Sequence, residues 1–82
     1  MVIWKYKIEI TDHPKIIMPK KSKVIHVGLD TNGIPCVWAI CDRNEPLAKV
    51  EFFIYGTGEE LGHHIKHIDT FIDNHYVWHV FQ

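Results

Sequence analysis

The histidine-rich segment between residues 59 and 67 has the spacing that most directly indicates metal chemistry. The chain contains seven histidines among its 82 residues. If this segment were helical, Glu59, His63 and His67 would recur every four residues and offer a metal ion two imidazoles and one carboxylate. Gly62 disfavours such a helix, and the segment lacks the glutamate that zinc proteases place between paired histidines. We therefore favour ordinary surface histidines over a metal site, and we predict no cofactor.

The two cysteines, Cys36 and Cys41, lie in one predicted strand. Their Cα atoms would be roughly 16 Å apart at about 3.3 Å per residue, whereas a disulfide needs less than about 7 Å. We expect them to be reduced, buried thiols, as is usual in the cytosol. Burial in an apolar strand raises the pKa of a thiol and hides it from substrate, which disfavours a cysteine nucleophile. A metal- or cysteine-dependent hydrolase acting on nucleic acid or nucleotide stays an alternative to a non-enzymatic protein.

A third group of residues has the chemistry of a binding site for an anion or a nucleotide. Lysines cluster between residues 15 and 23, and the turn at residues 56–58 can direct backbone amides and a hydroxyl towards an anion. An aromatic ring such as Trp38 or Tyr55 can stack on a base, and His26 or His79 can donate a hydrogen bond to a phosphate. The same residues also fit solvated lysines, a plain turn and core side chains, and both interpretations stay open. The candidate ligand-binding residues are Lys20, Lys21, Lys23, His26, Trp38, Tyr55, Gly56, Thr57 and Gly58.

A two-residue alternation of apolar and polar side chains predicts the strands that would carry these residues. It extends from Val2 to Thr11, and an Asn-Gly turn at residues 32–33 predicts a hairpin between a central strand at 23–30 and a strand at 35–41. Further strands are predicted at 16–18, 48–55, 67–72 and 75–82, with a single turn or irregular loop at 59–67. The predicted fold class is all-β, mainly antiparallel: a small sandwich or strongly curved sheet of six to seven short strands, with at most one short helical turn. We expect Trp4, Trp38 and Trp78 to form its core.

Length and composition limit the classes of protein to which the chain can belong. Its 82 residues make one globular domain, 1–82, and the apolar fraction of 46% is that of a folded chain. The net charge of −1 provides no global field for nucleic acid or anionic membrane. The N-terminus alternates apolar and charged residues, unlike a signal peptide or a membrane span. Because so small a core holds little stability in reserve, a homo-oligomer is expected.

Six short segments of the chain are distinctive in combination: Ile3-Trp4-Lys5-Tyr6, Met18-Pro19, His26-Val27-Gly28, Pro35-Cys36-Val37-Trp38-Ala39, Gly56-Thr57-Gly58 and Val77-Trp78-His79-Val80-Phe81. Together they resemble a family of very small uncharacterised proteins encoded by bacteriophages, prophages and plasmids. The family has no established activity. The resemblance implies an accessory protein made in a bacterial cytoplasm, and such small proteins are often antagonists of host defence.

The leading hypothesis is therefore a non-enzymatic, phage-type binding protein that antagonises host defence. It would bind a host protein through an exposed surface or sequester a small signalling nucleotide, using the lysines, the turn at 56–58 and Trp38 or Tyr55. Nucleic acid and membrane are not expected partners. The alternatives are the hydrolase described above and a minor structural or replication accessory protein.

Overall fold

The computed structural model describes residues 1–63 and 66–82, which form eight antiparallel strands in three small sheets and no helix. The strands are β1 (Val2–Lys7), β2 (Lys15–Pro19), β3 (Lys23–Leu29), β4 (Pro35–Cys41), β5 (Leu47–Glu51), β6 (Phe53–Gly56), β7 (His67–Asp73) and β8 (Tyr76–Phe81). The predicted all-β, mainly antiparallel class is confirmed, with one strand more than expected. The described residues include no helix long and apolar enough to cross a membrane.

Sheet A has the strand order β1-β4-β3, and its middle strand β4 sets the two faces of the sheet. Val37, Ala39 and Cys41 are fully buried on the side that we call the core face. Residues 36, 38 and 40 alternate with them and point to the opposite, outer face. The predicted hairpin between β3 and β4 is present, and Gly33 supplies the positive φ of 77° that its turn needs.

Strand β3 lies at an edge of sheet A, so the prediction of a central strand at residues 23–30 is wrong. Its apolar residues are explained by a different neighbour, because β3 packs against β7 of another sheet. The first strand is also shorter than predicted and ends at Lys7.

The predicted strand at residues 48–55 is two strands that belong to different sheets. Sheet B pairs β2 with β5, and sheet C has the order β6-β8-β7. The chain changes sheet at Phe52, which is fully buried and donates its amide hydrogen bond to Pro14 O at 2.9 Å. The two-residue alternation continues through this residue, which explains why the sequence pattern gives no sign of the break.

The core consists mainly of aliphatic side chains with two phenylalanines, and the three tryptophans lie at its margins. Trp4 is 40% exposed, whereas Trp38 and Trp78 are half-buried, so the predicted tryptophan core is wrong. Trp38 alternates with two buried residues and therefore points to the outer face of sheet A. Buried residues that form the core cluster are Ile8, Ile16, Met18, Val27, Val37, Ala39, Cys41, Phe52, Ile54, Phe71 and Val80.

Candidate functional site

The outer face of sheet A brings three of the predicted ligand-binding residues together. Lys5 and His26 lie directly opposite Trp38 on the two neighbouring strands, and Lys23 lies opposite Ile40. Residues directly opposite each other in an antiparallel pair share a face of the sheet. We call this surface, formed by Lys5, Lys23, His26, Trp38 and Ile40, the Trp38 face.

A β-bulge explains why Lys23 and His26 share this surface. They are three residues apart, which would place them on opposite faces of a regular strand. The pairing shifts between Val24 and His26, so that Ile25 is an extra residue without a partner on β4. The alternation of the sequence gave no sign of this shift, and bulges rarely have a distinct sequence signal.

His26 is held over the sheet by contacts on three sides. Its Nδ1 lies 2.9 Å from Asp69 Oδ2, and its ring centre lies 5.3 Å from that of Trp38 at an angle of 37°. The ring also covers Gly28, where a Cβ atom would lie only 2.7 Å from His26 Nε2. The absence of a side chain at Gly28 therefore leaves the room that this ring orientation requires.

Asp69 connects the Trp38 face to sheet C. Its carboxylate accepts hydrogen bonds from the Val27 amide at 2.9 Å and the Thr70 amide at 2.8 Å, in addition to the contact with His26. Burial of this carboxyl opposes ionisation, but the two amides and the nearby imidazole outweigh it and hold the pKa of Asp69 below its ordinary value. The ionised carboxylate thus accepts the hydrogen bond of the Val27 amide at the edge of β3, where a neighbouring strand would otherwise supply a carbonyl oxygen.

Asp30 holds Lys5 at the other end of the same face. The Ile34 amide chiefly, together with the Asn32 amide and the ammonium of Lys5 at 3.2 Å, lowers the pKa of Asp30 to about 2. The carboxylate therefore fixes the turn between β3 and β4 and orients Lys5 beside Trp38. Because Lys5 and His26 each face a carboxylate, they contribute little net charge to this surface.

Lysine side chains line an adjoining cleft of about 290 Å³, which we call the lysine cleft. Its polar lining includes Lys23, Lys66 and His67, and its described lining residues include no carboxylate side chain. Lys23 belongs to both surfaces. It lines the lysine cleft, and it lies on the Trp38 face because its partner Ile40 is two residues from Trp38 along β4. That separation corresponds to about 7 Å along the strand. The lining residues are Ser22, Lys23, Val24, Lys66, His67, Ile68 and Gln82.

The predicted turn residues form a second cleft, of about 230 Å³, on sheet C. The amide of Gly56 donates to the carboxylate of Glu59, so a carboxylate of the same chain already occupies this donor and repels a phosphate. The described residues that line this cleft include no lysine. Its described lining consists of Tyr55, Gly56, Thr57, Gly58, Glu59, Leu61, His79 and Phe81.

A chain of hydrogen bonds begins in the second cleft and continues along β7 beyond it. The Thr57 hydroxyl lies 2.9 Å from His79 Nε2, and His79 Nδ1 lies 3.0 Å from the Thr70 hydroxyl, which also contacts His67 Nε2 at 2.9 Å. A hydroxyl beside an imidazole resembles a nucleophile and its base. The third group here is a neutral hydroxyl, which stabilises an imidazolium far less than a carboxylate does. The arrangement therefore ties the turn after β6 to strands β8 and β7 better than it supports catalysis.

The remaining predicted residues lie apart from both clefts or have other contacts. Lys20 and Lys21 belong to the turn between β2 and β3, and Lys21 Nζ lies 3.1 Å from Glu45 Oε1. The proposed metal ligands Glu59 and His67 are engaged with Gly56 and Thr70 respectively. Within residues 1–63 and 66–82, no three histidine, cysteine or acidic side chains are grouped to hold a metal ion. His64 and Ile65 of the predicted turn lie outside the described residues.

Both cysteines are buried and free, as predicted. Burial first, and then the charge of Asp30, raises the pKa of the Cys36 thiol. Cys41 Sγ accepts a hydrogen bond from the Ser22 hydroxyl at 3.3 Å and lies 3.8 Å from Tyr6 Oη. Burial, followed by the contact with this thiol, raises the pKa of Tyr6 to about 12. Both sulfurs are buried, which hides them from a substrate, and the raised pKa of Cys36 further disfavours its thiolate.

These features define a small all-β domain with an aromatic surface on one sheet, an adjoining cleft lined by lysines, and a histidine-containing cleft on another sheet. The chain belongs to a family described as a domain of unknown function, DUF7352, which matches residues 1–82. The predicted membership in an uncharacterised family is therefore confirmed. No curated protein and no solved structure matches the chain.

Proposed function

We propose that the protein is a non-enzymatic binding protein that captures a small nucleotide, with the base on the Trp38 face and the phosphate in the lysine cleft. The observation that carries this proposal is the strand pairing that aligns Trp38, His26 and Lys23 on one surface. Lys23 then connects an aromatic ring to a cleft that also contains Lys66. The step of about 7 Å along β4 from Trp38 to Ile40, which lies opposite Lys23, makes the aromatic ring and the lysine cleft neighbours.

Each half of the surface contributes a different part of the binding free energy. Stacking of a base on an aromatic side chain is worth about 1–3 kcal/mol, and hydrogen bonds to charged groups are worth about 1.5–3 kcal/mol each. The ring of His26 is held beside Trp38 by Asp69 before any ligand arrives. This preorganisation lowers the entropy lost on binding. A ligand of nucleotide size is favoured over a nucleic acid because the net charge is −1 and the basic surface is local.

The biological part of the proposal rests on the resemblance to proteins of phages, prophages and plasmids. We propose that the protein acts in a bacterial cytoplasm, where it sequesters a nucleotide signal of host defence. The two buried, free thiols are consistent with a reducing compartment. The absence of an exposed thiol among the described residues argues against the cysteine-dependent hydrolase.

Thermal shift against a panel of cyclic and linear nucleotides tests the proposal. A ligand at 100 times its dissociation constant adds about 2.7 kcal/mol to the folded state, and 1 kcal/mol corresponds to about 4–8 °C for a domain of this size. We expect a rise of more than about 10 °C with at least one nucleotide. If no nucleotide raises the melting temperature, the nucleotide proposal is wrong and a host protein becomes the favoured partner.

Variants then test the location of the site. Trp38→Leu keeps an apolar side chain and removes stacking, while Lys23→Ala and Lys66→Ala each remove a charge from the lysine cleft. Each should weaken binding by about tenfold, which corresponds to 1.4 kcal/mol. Lys49→Ala is the matched control, because Lys49 is exposed on β5 opposite Ile17 and away from this surface. Equal affinity for all four variants would show that the ligand binds elsewhere.

A further inference from the structure

Strand β1 is an edge of sheet A, and its backbone has one unpaired side. The Ile8 amide donates to Pro35 O at 3.1 Å, directly in line with the β1–β4 ladder. Amides of alternate residues point to the same side of a strand. The amides of Trp4 and Tyr6 therefore point towards β4, whereas those of Ile3 and Lys5 point outwards from the sheet.

The side chains of β1 leave apolar surface exposed beside this unpaired backbone. Trp4 belongs to the core face, as its partner Ala39 is fully buried, yet 40% of Trp4 is exposed. Ile3 on the outer face is 60% exposed. Within the described residues, β4 is the only strand with extensive contacts to β1. A further strand laid along β1 would cover both side chains.

We propose that β1 pairs antiparallel with β1 of a second copy of this chain, about a two-fold axis at Trp4. This proposal is independent of the nucleotide proposal. It joins the two copies into one six-stranded sheet with both core faces on the same side. Trp4 then packs against Trp4 of the other copy, and the amides of Ile3 and Lys5 form about four hydrogen bonds across the axis.

The sequence of β1 selects this register among the alternatives. In an antiparallel pair, two residues that lie directly opposite each other must both point their amides towards the partner strand or both point them away. The two-fold axis must therefore pass through a residue of β1 and not between two residues. An axis at Lys5 would place Lys5 opposite itself, and an axis at Tyr6 would place Lys5 opposite Lys7, so both bring like charges together. An axis at Ile3 pairs fewer residues. With the axis at Trp4, every lysine lies opposite an apolar residue.

Sedimentation equilibrium of the full chain tests the interface. We expect the wild type to have twice the monomer mass in the micromolar range. Lys5→Pro removes an outward-pointing amide that β4 does not use, so it should give a folded monomer. Lys5→Ala loses the same ion pair with Asp30 but keeps the amide, and it should remain dimeric. A monomeric wild type, or a Lys5→Pro variant that is folded and as dimeric as the wild type, would overturn the proposal.

A cross-linking experiment tests the register even if the proline variant fails to fold. Trp4 opposite Trp4 is a pair without mutual hydrogen bonds, whose Cα atoms lie about 4.5 Å apart, within the range of a disulfide. Trp4→Cys should therefore form a covalent dimer rapidly under mild oxidation. Lys7→Cys, which this register places opposite Met1, should not. Equal cross-linking of the two variants, or none at position 4, contradicts the two-fold axis.

Discussion

Replacement of Asp69 by alanine should destabilise the protein because one carboxylate connects β3 to sheet C. The Val27 residue is fully buried, and its amide donates to Asp69 Oδ2 at 2.9 Å. Leaving a buried donor without a partner costs about 1–3 kcal/mol, and the lost contacts with Thr70 and His26 add to this. We expect a loss of about 3 kcal/mol in the free energy of unfolding. The melting temperature should fall by about 12–24 °C.

Urea denaturation followed by circular dichroism measures this loss. Asp69→Asn is the matched variant, since its amide oxygen can still accept from Val27 while the charge is gone, and it should lose less stability than Asp69→Ala. An Asp69→Ala variant within about 0.5 kcal/mol of the wild type, the range of ordinary surface substitutions, would refute the reasoning.

The pH dependence gives an independent check on the charge of Asp69. Because its pKa is lower in the folded than in the unfolded state, the ionised carboxylate stabilises the fold above the unfolded value of about 3.9. This stabilisation is lost as the pH falls from there towards the folded pKa. The difference in stability between the wild type and Asp69→Asn should therefore shrink below about pH 4. Asp30, whose pKa is lowered to about 2, loses its contribution in the same pH range in both proteins and cancels in the comparison. A difference that is constant between pH 6 and pH 3 would contradict the assignment.

Three further predictions concern other residues of the core and the site. Gly28→Ala should fold normally, because the conflict at 2.7 Å is with the movable ring of His26, and nucleotide affinity should fall several-fold; retention of full affinity in a titration would count against the role of His26. Phe52→Ala should cost about 3–5 kcal/mol in urea denaturation, and Phe52→Leu should cost less. Cys36 and Cys41 should react with a thiol reagent only after unfolding, so rapid labelling of the native protein would contradict their burial.

The strands could be predicted where one face of a sheet is buried and the other is not. The alternation in β1 and the Asn-Gly turn before β4 are direct consequences of a pleated backbone and a tight hairpin. The change of sheet at Phe52 could not be predicted, because a buried aromatic residue continues the same alternation. The new sheet begins where Phe53 pairs with Phe81, a partner 28 residues away that no local pattern indicates.

The candidate site could be predicted by residue type but not by grouping. The residue types of Lys23, His26 and Trp38 indicate binding, and strand pairing brings these residues together, whereas Tyr55 lies in a different cleft. The bulge at Ile25 and the carboxylate of Asp69, 42 positions from Val27, depend on tertiary contacts. Lys66 has no sequence signal either, because a single lysine in a loop has no distinguishing pattern.

The order of strands within the sheets has a consequence for how the chain folds. Two of the five ladders in the described residues join strands that are neighbours in sequence, β3 with β4 and β7 with β8. Such hairpins form within about 1–10 μs, whereas β1 must wait for a partner that begins at Pro35. During synthesis on the ribosome, the first strand therefore emerges long before it can pair. We expect the docking of β1 on β4 to be among the slowest steps, with overall folding in the millisecond-to-second range typical of all-β chains.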